Sequence, residues 1–159
     1  MGTGYEFIPN PWYSESERRS PPPRPELIRQ RDDSLLECTR LGDCEGLREC
    51  IKRKALLSVA RDPDGAGALH LAVCSGSCEA VDLLLKAGAY INISDYRWAT
   101  PLYYACNREM QDSLKNRGPM IRFLVERGGD TMQQSSFSGQ RPWQVTESEE
   151  HRKIITTSR

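Results

Sequence analysis

The run Asp62-Pro63-Asp64-Gly65-Ala66-Gly67-Ala68-Leu69-His70-Leu71-Ala72 is answered by Asp95-Tyr96-Arg97-Trp98-Ala99-Thr100-Pro101-Leu102-Tyr103-Tyr104-Ala105. Asp62 and Asp95, Leu69 and Leu102, and Ala72 and Ala105 each stand 33 residues apart. Between the two runs lie Gly76, the apolar Val81-Asp82-Leu83-Leu84-Leu85 and then Gly88-Ala89-Tyr90-Ile91-Asn92. Such a period reads as turn, helix, turn, helix. A unit of that kind cannot bury its apolar face alone and gains a core only by stacking on copies of itself.

The succession of D-x-x-G, T-P-L-H, alanine, glycine, V-x-L-L-L and G-A-x-x-N resembles the ankyrin repeat, with Thr100-Pro101-Leu102 as its best-known part. The resemblance implies an all-α solenoid of stacked helix-turn-helix units joined by β-hairpin-like loops. In the family the threonine caps the first helix and hydrogen-bonds the histidine ring, and the proline occupies the first turn. The second unit keeps His70 but has Gly67 and Ala68 for Thr and Pro. The third keeps Thr100 and Pro101 but has Tyr103 for His.

Outward from this pair, the register continues both ways. Shifted by 34, Leu35 falls on Leu69, Cys38 on Ala72, Gly42 on Gly76 and Leu47 on Val81. Ser34 is expected to cap a helix over 35–41, and a second helix to run from Cys44 to Lys54. This is a degenerate capping unit, with 55–61 replacing the usual lead-in. In the third unit Gly88 maps to Gly128, so about seven residues are inserted around 107–118. They either prolong the first helix by two turns or form an exposed loop, after which Pro119 opens the second helix. The stretch 137–146 aligns with Tyr96–Leu102 at an offset of 41, and one helix is expected to follow to about Ile155. The units are thus 32–61, 62–94, 95–135 and 136–155, followed by a tail at 156–159.

Residues 1–31 read differently. Six prolines, including Pro21-Pro22-Pro23, remove backbone donors, and the segment is polar around Ser14–Arg19. It is expected to be a disordered leader or an extended arm laid on a partner. Trp12 and Tyr13, with Tyr5, Phe7 and Ile8 before them, favour the arm. The run 21–25 suits polyproline II, a weak signal.

The 159 residues hold 22 basic and 22 acidic side chains. Neutrality argues against a general nucleic-acid or membrane-surface binder. No apolar run reaches membrane-spanning length, and the N-terminus lacks a signal-peptide core. Six cysteines without a secretory signal point to the cytoplasm or another reducing compartment, with organelle and nucleus both open. The initial methionine fits a whole protein, and about thirty residues outside the repeats are too few for a catalytic domain.

Chemistry has little to stand on. His70 occupies the consensus structural position, and His151 is expected in solvent on a charged terminal helix. No phosphate loop or carboxylate pair is recognisable, and the cysteine spacings lack the close pairs of a structural zinc site. No catalytic residue, cofactor or metal is expected. The resemblance makes Asn92, with Leu84 eight residues upstream, a candidate for asparaginyl hydroxylation; the alternative is a turn-stabilising asparagine.

What remains is surface. The resemblance implies that partners meet the hairpin tips and the exposed side of the first helices. That selects Asp64, Tyr96, Arg97, Trp98 and Phe137 at the tips, and Asn107 and Arg108 on the exposed side of the third unit's first helix. One departure stands out. Trp98 stands where Gly65 and Gly139 keep the tip glycine, at a position that tends to need positive φ. A bulky residue there, beside a tyrosine and an arginine, gathers the residue types most enriched in binding hot spots. The expected function is a protein-interaction scaffold, or an accessory subunit of a larger assembly anchored by its arm.

Overall fold

The computed structural model describes residues 25–53, 57, 60–107, 117–136 and 138–157. Trp12, Tyr13, Arg108 and Phe137, the arm up to residue 24 and most of the insertion lie outside the described residues. Eight helices are present among them: α1 (Pro25–Leu41), α2 (Cys44–Lys52), α3 (Ala68–Ser75), α4 (Cys78–Lys86), α5 (Pro101–Cys106), α6 (Arg117–Glu126), α7 (Pro142–Val145) and α8 (Glu149–Thr157). The first helices α1, α3, α5 and α7 stack in sequence as one layer. Each packs on its own second helix, and α2–α4 and α6–α8 stack behind them. This is the all-α solenoid that the repeat predicts.

Local chemistry sets the starts of α2 to α5. Asp43 Oδ1 accepts from the backbone N–H of Glu45 and Gly46 and starts α2. Ser77 Oγ does the same for Ala80 at α4, and Thr100 Oγ1 for Tyr103 at α5, where Pro101 follows. Each cap satisfies an otherwise orphaned donor and contributes about 1 kcal/mol. Gly67 has no side chain to cap α3. Its own N–H instead donates to His70 Nδ1 at 3.1 Å. The histidine thus supplies the return half of a capping box and satisfies a different donor from the one a threonine would. Gly42 and Gly76, at φ +70° and +73°, turn the chain from the first helix to the second in adjacent units.

The core is one continuous file of small and branched residues. Leu35, Leu47, Leu69, Ala72, Val81, Leu84, Leu102, Ala105, Met120, Ile121, Leu124 and Ile155 are all essentially inaccessible. Burying each large side chain contributes roughly 1.5–3 kcal/mol, so packing dominates over the caps. The exposed Arg48–Glu79 pair links α2 to α4 at 2.7 Å and adds little by comparison. Arg141 Nε, Trp143 Nε1, Thr146 Oγ1 and Arg152 Nε are buried without a hydrogen-bond partner among the described residues. All four belong to the last unit, the least satisfied part of the stack.

Several expected boundaries move. The first helix starts at Pro25, so residues 25–31 are helical rather than part of an extended arm, and Ser34 lies inside α1 instead of capping it. Proline lacks only an N–H that the first turn leaves unused, so it opens a helix as readily as it ends one. α6 likewise starts at Arg117, two residues before Pro119. α5 is not prolonged: it ends at Cys106, Asn107 is extended, and Arg117 Nη1 donates to the carbonyls of Ala105 and Cys106. In the last unit a short α7 precedes α8, the two separated where Thr146 turns extended at φ −80°, ψ 129°. His151 is half-buried with its ring against Gly118, not solvated.

Candidate protein-interaction site

Two hairpin tips stand side by side and share one hydrogen-bond plan. In the second unit the N–H of Asp62 donates to Ala66 O and that of Gly65 to Asp62 O; Asp62 Oδ1 accepts from the N–H of Asp64 and Ala66. In the third unit Asp95 pairs with Ala99 in the same way, Trp98 N–H donates to Asp95 O, and Asp95 Oδ1 accepts from Arg97 and Ala99. The final tip keeps the plan with one extra residue, Ser135 N–H donating to Gln140 O.

The tips are tied into a row. Arg61 Nη1 donates to Gly65 O at 2.8 Å and to Ser94 O at 2.7 Å, bridging the second and third units. Arg97 O accepts from Ser136 N–H and Ser135 Oγ, which bridges the third and the last. The phenol ring of Tyr96 stands on Gly65. A Cβ there would sit 2.6 Å from the ring, so this glycine serves both its φ of +82° and the close approach of the ring. Arg61 escaped the sequence reading; its signal was an arginine directly before the aspartate of D-x-x-G.

Beneath the tips runs a buried polar chain. His70 Nδ1 accepts from Gly67, so its Nε2 carries the proton and donates to Ala99 O at 2.9 Å. Burial holds the His70 pKa below the usual imidazole value. The edge of its ring meets Tyr104, with centroids 4.8 Å apart. Tyr104 donates its hydroxyl to Asp95 Oδ2 at 2.9 Å, and burial and the adjacent carboxylate raise its pKa. Arg97 Nε lies 3.6 Å from the same carboxylate oxygen. Asp95, buried, is therefore the hub of the third tip. Tyr103, in the consensus histidine position, hydrogen-bonds Ser138 Oγ of the next tip at 2.7 Å.

The surface left over is aromatic. Trp98 has φ +59°, the one positive value at a non-glycine residue among those described, and the residue is 62% exposed. Tyr96 is 72% exposed and Tyr90 64%. Asp64 is exposed beside them. Arg97 is split between roles, its backbone locked and its guanidinium shared with Asp95. Asn107 is half-buried at the end of α5, with its N–H donating to Tyr103 O. Asn92 bridges units: its Nδ2 donates to Gly128 O and its Oδ1 accepts from Asp130 N–H.

No group of three or more His, Cys, Asp or Glu is placed to hold a metal among the described residues, and no helix there is long and apolar enough to cross a membrane. An open cleft of about 310 Å³ on α6 and α8 is lined by Arg122, Glu126, Lys153, Ile154 and Thr157. Its mixed charges and short apolar wall offer little to enclose a small molecule.

The ankyrin-repeat family profile matches residues 64–96. Among curated proteins the chain is similar to protein phosphatase 1 regulatory subunit 27 of Homo sapiens, 34% identical over 119 residues, which cover 74% of this chain and 73% of that protein. The Mus musculus protein of the same name matches to the same extent. The chain belongs to the ankyrin-repeat family. Membership places this ankyrin-repeat protein among protein-interaction modules, and it explains why the tip aspartates, the His70 position and the turn glycines recur on a 33- to 34-residue spacing.

Proposed function

We propose that this ankyrin-repeat protein is a non-catalytic regulatory subunit that grips its partner through the third hairpin tip, with Trp98 and Tyr96 as anchors. The observation that carries the reading is the left-handed tryptophan. Positive φ costs a bulky residue roughly 1 kcal/mol or more, yet the residue is left mostly in water. Contact with a partner offsets that cost. Two exposed aromatics on a row of tips held by hydrogen bonds make a rigid surface that loses little entropy on binding.

The partner to test first follows from the similarity to a protein phosphatase 1 regulatory subunit: the catalytic subunit of that phosphatase. A version of the same reading makes the chain an accessory subunit anchored through its N-terminal residues, Trp12 and Tyr13 included.

Trp98→Gly is the deciding variant, because glycine is the residue that the backbone prefers there. It is expected to keep the helical circular dichroism and to weaken capture of the phosphatase by at least about tenfold, or about 1.4 kcal/mol. Capture equal to wild type would sink the tip as the site. No capture by either form would sink this phosphatase as the partner.

A further inference from the structure

The first unit carries thiols where the second carries hydrocarbon. Cys38 on α1 matches Ala72 on α3, and Cys50 on α2 matches Leu84 on α4, each at an offset of 34. Ala72 and Leu84 are both fully buried, so these positions face inward from the two helices of a unit. Gly46 matches Ala80 between them. A Cβ on Gly46 would stand 2.7 Å from Cys38 Sγ; the missing side chain is what admits the thiol against the first turn of α2. Cys50 lies four residues beyond Gly46, hence one turn along the same face, where neighbouring Cβ positions are roughly 5–6 Å apart. The two sulfurs are thus brought together across the α1–α2 pair.

Two of the other four thiols are occupied elsewhere. Cys44 Sγ meets Ser77 Oγ and Gly42 O, and Cys106 is buried in α5. Cys38 and Cys50 are both free and half-buried. Burial and the neighbouring Cys38 sulfur raise the Cys50 pKa, which disfavours Cys50 for the first attack.

We infer that Cys38 and Cys50 form an intramolecular disulfide that locks the α1–α2 hairpin when the protein meets a peroxide. The Cys38 thiolate attacks one oxygen of hydrogen peroxide; the O–O bond breaks, and the leaving hydroxide takes a proton to become water. The resulting sulfenic acid is attacked at sulfur by Cys50; the S–S bond forms, the S–O bond breaks, and a second water leaves. Two thiols lose two protons and two electrons, and one peroxide takes them up to become two waters. The bond closes the short loop over 38–50, whose turn is already set by Gly42 and the Asp43 cap.

Trypsin separates the three thiols of this unit, Cys38 in 32–40, Cys44 in 41–48 and Cys50 in 49–52. The reduced full chain is treated with a small excess of hydrogen peroxide, alkylated and mapped by non-reducing mass spectrometry. The expected result is a 32–40/49–52 linked pair as the dominant crosslink, absent in Cys38→Ala and retained in Cys44→Ser. Thermal melting should rise by ~5 °C and return on adding dithiothreitol. Cys50→Leu, which copies the second unit, keeps the test usable if Cys38→Ala folds poorly. Alkylated Cys38 and Cys50, equal linkage to Cys44, Cys74 or Cys78, or a lowered melting temperature on crosslinking would overturn the inference.

Discussion

The second and third hairpin tips have the same backbone bonds and different investments. The tip at Asp62 is satisfied by its own amides and by Arg61, and it presents glycine and small residues. The tip at Asp95 uses the same amide pattern, then adds a buried tyrosine hydroxyl and a guanidinium on the aspartate's second oxygen, and a strained tryptophan. The plan belongs to the fold and repeats at both tips. The additions belong to one tip alone, and they are where a role beyond folding has room.

If the third tip is the better-tied one, its hub should show it. Asp95→Ala leaves Tyr104 Oη and two amides without an acceptor in a buried setting, and is expected to cost about 3–4 kcal/mol in urea denaturation. Asp62→Ala at the partly exposed tip should cost about half as much. Equal losses would erase the distinction between the tips.

Gly65 tests the tie between them. An alanine there meets both the left-handed φ of +82° and the Tyr96 ring at 2.6 Å. Together these are expected to cost about 2–3 kcal/mol. In Gly65→Ala combined with Tyr96→Ala the steric part should vanish and only the backbone part remain, a coupling that a double-mutant cycle measures directly.

Much of this was legible before any coordinates. The 33-residue echo fixed the stacking order, and the glycine expected at the third tip predicted that Trp98 would take positive φ, as it does. Helix ends were less legible. Proline is compatible with both the end of an extended segment and the first turn of a helix, so Pro25 and Pro119 could not place α1 and α6 from sequence. The last unit's two helices depend on the backbone turning at Thr146, for which the local sequence offers no glycine or proline. The Arg61–Ser94 and Tyr103–Ser138 bonds cross between neighbouring units, and no spacing rule within one repeat reveals a bond to the next.

The buried histidine adds a pH dependence to the second unit that the third, with Tyr103, lacks. Its folded pKa is lowered, so below the free value of about 6.5 the unfolded chain takes a proton that the folded one refuses. Stability contributed by neutral His70 is therefore complete above about 6.5 and declines as pH falls toward the lowered folded value. The loss approaches about 1.4 kcal/mol per pH unit within that window. Protonated Nδ1 could no longer accept from Gly67, which loosens the start of α3. Denaturation at pH 7.5 and 5.5 should show a drop of about 1 kcal/mol in wild type and a flatter response in His70→Gln. An unchanged slope in the variant would assign the acid sensitivity to the carboxylates.

The smallest expected effect is the most telling for the comparison. Trp98→Gly makes the third tip copy the second, relieving a left-handed tryptophan at φ +59° while removing the side chain of a residue that is 62% exposed. Relief of strain should stabilise by roughly 1 kcal/mol, less the extra freedom that glycine gives the unfolded chain. A net gain of a few tenths to 1 kcal/mol in the midpoint of urea denaturation is expected. Loss of stability would mean that the indole packs on the stack after all, and then the strain at this position is repaid within the fold rather than by a partner. A gain in stability joined to weaker capture would separate the two explanations, because no purely structural role improves the fold when it is deleted.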